Sequence, residues 1–276
     1  MGAKARTSDT NPWRTLQAIR QQAPLVQNIT NFVAMDLAAN AVLAVGASPA
    51  MVQAVEEVEE FVPKAGALTV NIGTLSADRA EAMQIAAAAA VKNGKPWVFD
   101  PVGVGATRFR RDLADRLCAL RPTVIRGNGS EIMTLSQAAV ARTSGVDSAH
   151  ASDEAVEAAR ALAANTGAVV AVTGAIDYVT DGRDVIAVGG GDPMMTKVTA
   201  LGCALTCLIG ACCAVNASPL AATVDGLAIM GVAGQMAATE AVGPGSLRVR
   251  LIDTLYNLDE RQLGDLSNIS RATSVA

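Results

Sequence analysis

Short apolar runs rich in β-branched residues alternate along this chain with longer alanine-rich runs whose polar positions recur at helical spacing. The runs PLVQNIT (24–30), ALTVNIG (67–73), PWVFD (96–100), TVIRG (123–127) and AVVAVTG (168–174) predict strands. Between them, NFVAMDLAANAVLAVG predicts a helix that stops at Gly46, and SADRAEAMQIAAAAAVKNG one capped by Ser76 and stopped at Gly94. FRRDLADRLCAL, NGSEIMTLSQAAV and DSAHASDEAVEAARALAANTG carry further amphipathic helices. The segment 176–191, IDYVTDGRDVIAVGGG, alternates and turns at Asp181-Gly182, which predicts a hairpin. After it the pattern predicts only helices, at 199–215, about 219–240 and 246–258. Strand followed by helix, repeated, predicts an α/β fold with a mostly parallel central sheet and helices on both faces. No linker, repeat or low-complexity stretch divides the chain, so a frayed tail at 1–12 and one domain over 13–276 are expected.

Composition sharpens this picture. Hydrophobic residues make up 51% of the 276 residues and aromatics only 3%, so the core must be built from closely packed Ala, Val, Leu and Ile. A net charge of −4 and a pI near 5.1 leave no basic surface for nucleic acid or an anionic membrane. The start lacks the apolar run of a secretory signal. Five cysteines without a CxxC pair and a single histidine, His150, argue against a disulfide framework or a zinc site and point to a reducing, cytoplasmic setting. No charge interrupts Val198 to Val224, long enough for a membrane span, but Gly202, Gly210, Asn216, Ser218 and Pro219 break it and favour a buried core helix.

In a parallel sheet, ligands sit beyond the carboxyl ends of the strands. That rule gathers Asn28, Asn71, Asp100, Arg126, Asn128 and Thr173. No GxxxxGK[ST] phosphate loop exists, and GVGATR lacks the third glycine of a dinucleotide fingerprint. In DPVGVG, Asp100 either holds a magnesium ion or simply caps its own turn. In RGNGSEIM, Asn128 and Glu131 have capping-box spacing, while Arg126 and Glu131 equally suit a phosphate fork and a magnesium-water ligand. In KVTALGCALTC a helix beginning near Gly202 and Cys203 offers free N–H groups to an anion and should lower a thiol pKa; otherwise Cys203 is a small core residue.

Taken in order, PLVQNITNFVA, LAVGASPAM, NIGTL, FDPVGVGA, IRGNGSEIM, VTGAIDYVTDG, GGDPMMTKV, GCAL and GPGS resemble the hydroxyethylthiazole kinase family of the ribokinase-like superfamily, from Pro24 to about Leu258. The resemblance implies a ribokinase-like three-layer sandwich and ATP- and magnesium-dependent phosphorylation of 4-methyl-5-(2-hydroxyethyl)thiazole in thiamine salvage. It also implies a homotrimer with substrate sites near the subunit boundaries. On the matching positions it implies that Arg126 and Thr173 contact ATP, that Met51, Asn28 and Ala200 contact the thiazole, and that Asp100 and Glu131 organise magnesium. Gly202 and Cys203 then line the anion hole; Cys203 stands where many ribokinase-like enzymes carry an aspartate, and is expected beside the alcohol more than as its base.

The chain departs from the family's usual GTGC turn, reading Ala200-Leu201-Gly202-Cys203. A negative φ is expected at Ala200, which makes the methyl a mild change, and Leu201 is expected to turn into the core. Two rival readings follow: an ATP-dependent dehydratase of hydrated NAD(P)H on the same fold, and a binder of thiazole and nucleotide impaired in catalysis.

Overall fold

The computed structural model describes residues 10–140 and 151–272. In it the apolar runs become strands β1 (Leu25–Ile29), β2 (Ser48–Ala50), β3 (Ala67–Asn71), β4 (Trp97–Asp100), β5 (Val124–Asn128) and β6 (Val169–Thr173). They are followed by β7 (Ile176–Thr180), β8 (Val185–Gly189) and β9 (Asn268–Arg271). One sheet runs in the order β2-β1-β3-β4-β5-β6-β7-β8-β9, parallel from β2 through β6 and antiparallel beyond. β3 and β4 are buried at every position, which is why they read as near-continuous apolar runs.

The helices among the described residues are α1 (Pro12–Gln22), α2 (Met35–Ala44), α3 (Val58–Phe61), α4 (Ala77–Lys92), α5 (Arg108–Ala119) and α6 (Gly129–Val140). Then come α7 (Ala151–Thr166), α8 (Leu201–Val215), α9 (Pro219–Glu240), α10 (Pro244–Asn257) and α11 (Glu260–Leu266). Side-chain oxygens start several of them: Ser76 accepts from the Arg79 N–H, Thr107 from Arg110 and Ser218 from Ala221. One core layer gathers Leu16, Leu37, Leu205, Leu227 and Leu251 from α1, α2, α8, α9 and α10. The other gathers Met83, Leu113, Ile132 and Leu162 from α4 to α7. Helices therefore cover both faces, in three layers.

The structure adds elements that the pattern does not predict. β9 pairs with β8 after the last helices, so the region beyond the hairpin is not all helical. Its four residues are mostly exposed and too short to show alternation. β2, three residues long, is equally illegible. Asn11 accepts from the Arg14 N–H and Pro12 opens α1, so these two residues, expected in the frayed tail, cap and start the first helix; residues 1–9 lie outside the described part, as does His150. α9 is long and apolar enough to cross a membrane, yet 78% of its apolar window is buried in the fold, the state expected of a core helix.

Candidate active site

Parallel register brings the strand ends together: Asn71 pairs with Asp100, and Asn128 with Thr173. Asp100 is fully buried, and its Oδ2 accepts from Asn71 Nδ2 and Thr206 Oγ1, both at 2.8 Å. Arg126 Nη1 stands 3.7 Å from the same oxygen, while Oδ1 has no partner. Burial pushes the Asp100 carboxyl up to about 6, against the pull of Arg126, Thr206 and Asn71.

Arg126 also donates from Nη2 to Thr173 Oγ1 at 2.7 Å, and Thr173 in turn donates to the Gly127 carbonyl. The guanidinium lies against the first turn of α8: a Cβ at Gly202 would stand only 2.7 Å from Nη1. Only glycine permits that approach. Ala200 is the N-cap of α8 and supplies no side-chain acceptor, so the first-turn N–H groups face outward without a protein cap. The expectation of negative φ at Ala200 is wrong: φ is +69°, in the left-handed region. The chain must turn there to bring the helix start against Arg126, and the alanine accepts the turn under strain. Leu201 is buried in the α8 core layer.

Cys203 Sγ accepts a hydrogen bond from Asn31 Nδ2 at 3.2 Å, and the same amide donates to Asn71 Oδ1 at 3.0 Å. A chain of contacts thus runs from the thiol through Asn31 and Asn71 to Asp100. The thiol pKa is raised, not lowered as its place at a helix start led us to expect. Burial is the main cause and the Asp100 charge the next; together they outweigh the amide bonds and Arg126. At neutral pH Cys203 is a thiol.

Asn31 is free to reach Cys203 because α2 starts at Met35 and not at residue 31; the preceding turn is closed by Asn31 Oδ1, which accepts from the Ala34 N–H. Asn28 sits deeper. Its Nδ2 donates to the Val26 carbonyl and its Oδ1 accepts from Thr69, whose hydroxyl lies 3.6 Å from Cys207 Sγ, one helical turn further along α8 than Cys203. Met51 follows β2 and packs, partly buried, against the core layer that contains α8. Glu131 closes the capping box, its Oε2 accepting from the Asn128 N–H while Asn128 Oδ1 accepts from the Glu131 N–H. Its Oε1 reaches further, to the Gly103 N–H at 2.9 Å.

The structure therefore joins Asp100, Arg126, Thr173, Gly202 and Cys203 in one network, leaves Glu131 beside it, and sets Asn28 and Met51 apart from its hydrogen bonds. Asn31 and Thr206 are the members the sequence reading passed over. Thr206 is signalled only as a hydroxyl three residues after Cys203 in an otherwise apolar helix. A cleft of ≈ 740 Å³ opens on Arg126, Thr173, Asp177, Gly202, Leu205 and Met230. A smaller cavity of ≈ 230 Å³, lined by Val33, Leu37 and Arg248, shares Val198 and Ala200 with it. The strained residue therefore borders both spaces.

The first-turn N–H groups of α8, the Arg126 guanidinium and the Thr173 hydroxyl form a site suited to phosphate oxygens. The chain is also similar to known proteins. The model of the hydroxyethylthiazole kinase family matches residues 16–261. A hydroxyethylthiazole kinase of Arabidopsis thaliana is 51% identical over 260 residues, 94% of each chain. The structure of the hydroxyethylthiazole kinase protein from Pyrococcus horikoshii superposes with a TM-score of 0.88 at 39% identity, covering 95% of this chain and 99% of that one. The pyridoxal kinase of Bacillus subtilis in its ADP complex shares the fold at a TM-score of 0.58 and 17% identity, over 76% of this chain and 91% of that one. With its sheet covered by helices on both faces and these matches over nearly its whole length, the chain belongs to the hydroxyethylthiazole kinase family.

Proposed function

We propose that the ≈ 740 Å³ cleft binds ATP and that its γ-phosphoryl group passes to the hydroxyl of 4-methyl-5-(2-hydroxyethyl)thiazole beside Cys203, in thiamine salvage. The observation that carries this is the contact of the Arg126 guanidinium with both Thr173 and the start of α8, two donor groups aimed at one space. Arg126 and Thr173 hold the phosphates, and the α8 N–H groups meet the charge that develops on the transferred group. Transfer through a loose transition state asks little of a base, which suits a thiol that stays protonated. Cys203 and Asn31 position the alcohol, Gly202 and Ala200 shape the passage between the two cavities, and Met51 and Asn28 support the thiazole side.

Two carboxylates lie at the phosphate end, and they suit magnesium, which keeps most of its waters and asks for one or two carboxylates. Asp100 Oδ1 is without a partner; both Glu131 oxygens already accept backbone N–H groups, so Glu131 would act through water. Bound there, the ion would neutralise charge on the phosphate oxygens.

Residues 13–276 act as one domain in this reading, in the cytoplasm and as a homotrimer; neither nucleic acid nor membrane is needed. Leu43 on α2 and Val249 and Tyr256 on α10, large apolar side chains left exposed on neighbouring helices, support the trimer. The dehydratase reading gains nothing from the family match.

The test is phosphorylated thiazole and ADP formed by the purified protein with ATP, magnesium and the alcohol, alongside Cys203→Ala and Leu201→Thr. The parent should turn over, and Cys203→Ala should keep at least ~10% of its rate, because no base is lost. Ligand binding without product in the parent would overturn the assignment, and a gain of product in Leu201→Thr would then identify the altered turn as the cause.

A further inference from the structure

Asn71 and Asp100 are the last residues of β3 and β4, and the loops that leave those strands carry Gly73, Gly103 and Gly105, whose backbone directions no side chain restricts. A single side chain from outside grips both. Arg110, in the first turn of α5, donates from Nη1 to the Ile72 carbonyl and, at 2.8 Å, to the Val102 carbonyl, and from Nη2 to the Gly73 carbonyl.

Two of those carbonyls belong to peptide units whose other ends hold the site. The carbonyl of Ile72 shares its peptide with the Gly73 N–H, which donates to Asn71 Oδ1 at 2.9 Å. The carbonyl of Val102 shares its peptide with the Gly103 N–H, which donates to Glu131 Oε1. A peptide unit is planar, so fixing its oxygen fixes the direction of its N–H. Arg110 thereby orients the donor that turns Asn71, and Asn71 in turn presents Nδ2 to Asp100 Oδ2. It also holds one end of the peptide that Glu131 holds by the other.

The grip comes from the opposite face of the sheet to α8. α5 packs in the layer of Leu113 and Leu117, whereas Thr206 and Cys203 approach from the layer of Leu205 and Leu208. The carboxylate is therefore set between two independent supports. The guanidinium fork suits three carbonyls on two loops; a lysine ammonium, a compact point charge on a flexible stem, has no such plane.

We propose that Arg110 is a positioning residue for phosphoryl transfer, holding Asn71 against Asp100 through the 72–73 peptide and Glu131 in place through the 102–103 peptide. This rests on the kinase reading above. In Arg110→Met and Arg110→Lys, kcat should fall by ~10- to 100-fold while KM for ATP and for the alcohol changes by less than ~3-fold, since the misplaced groups are at the reacting centre. Guanidinium ion at low, non-denaturing concentration should restore part of kcat to Arg110→Ala.

Amide hydrogen exchange gives a readout that needs no turnover: Gly73 and Gly103 should lose protection in Arg110→Met while the β3 and β4 amides keep theirs. Unchanged protection at both glycines overturns the proposal whatever the activity. So does a kcat loss that tracks melting temperature alone. A parent protein that makes no thiazole phosphate sinks the kinase reading instead, and the exchange experiment still decides the role of Arg110.

Discussion

A methyl group at position 200 sits on a left-handed backbone, φ +69°, where an L-residue other than glycine is strained by roughly 1–2 kcal/mol. Glycine relieves that strain but adds freedom to the unfolded chain, so Ala200→Gly should stabilise the protein by a net ~0.5–1 kcal/mol, seen as a rise in melting temperature of a few degrees. Two residues on, the argument reverses. Gly202 has no room for a Cβ, because the Arg126 guanidinium would be 2.7 Å away. Gly202→Ala should push Arg126 off Thr173 and raise KM for ATP by ~10-fold or more, with little change in the fold, as circular dichroism and steady-state kinetics would show.

At the scale of the element, α8 is both the central helix of one core layer and the source of two side-chain polar contacts to the site, from Cys203 and Thr206. Its apolar face holds it against the sheet while Thr206, one turn after Gly202, donates to Asp100. The Asp100 carboxyl stands at about 6 because burial outweighs its donors. Thr206→Val removes one donor to the charged form. The carboxyl of the metal-free protein must then titrate at higher pH than the parent's, as carbon-13 NMR of the Asp100 carboxyl would read, while a circular dichroism spectrum like the parent's would show α8 intact.

The whole molecule carries a second buried carboxyl that the site does not use. Asp225 of α9 accepts from the Thr15 hydroxyl of α1 at 2.6 Å, joining two helices of one layer. Burial pushes it up to about 7, against the Thr15 hydroxyl and the Asn11 N–H. With a folded pKa above the unfolded one, the folded state binds the proton more tightly. The stability this contributes is full below about 4 and is lost as pH rises through about 7. Asp225→Asn removes the titration, so its melting temperature should exceed the parent's by ~2–4 °C at about pH 8 and vary less between about pH 5 and 8. A parallel pH dependence in both proteins would show that Asp225 carries none of it.

Periodicity and punctuation determined five parallel strands, the hairpin at Asp181-Gly182 and the long helices, because these depend on residues near one another in the chain and on which faces must be buried. The strand-end rule also selected Asn71, Asp100, Arg126 and Thr173 from sequence alone, since parallel topology puts those ends on one edge. Local pattern could not show β2 or β9, whose pairing partners lie far away in sequence. Nor could it show that burial beside Asp100 overrides the helix start at Cys203, that Ala200 must turn left-handed to meet Arg126, or that Arg110 grips two loops from across the sheet. Those are properties of distance and dielectric between residues the sequence separates, and only the packed structure sets them.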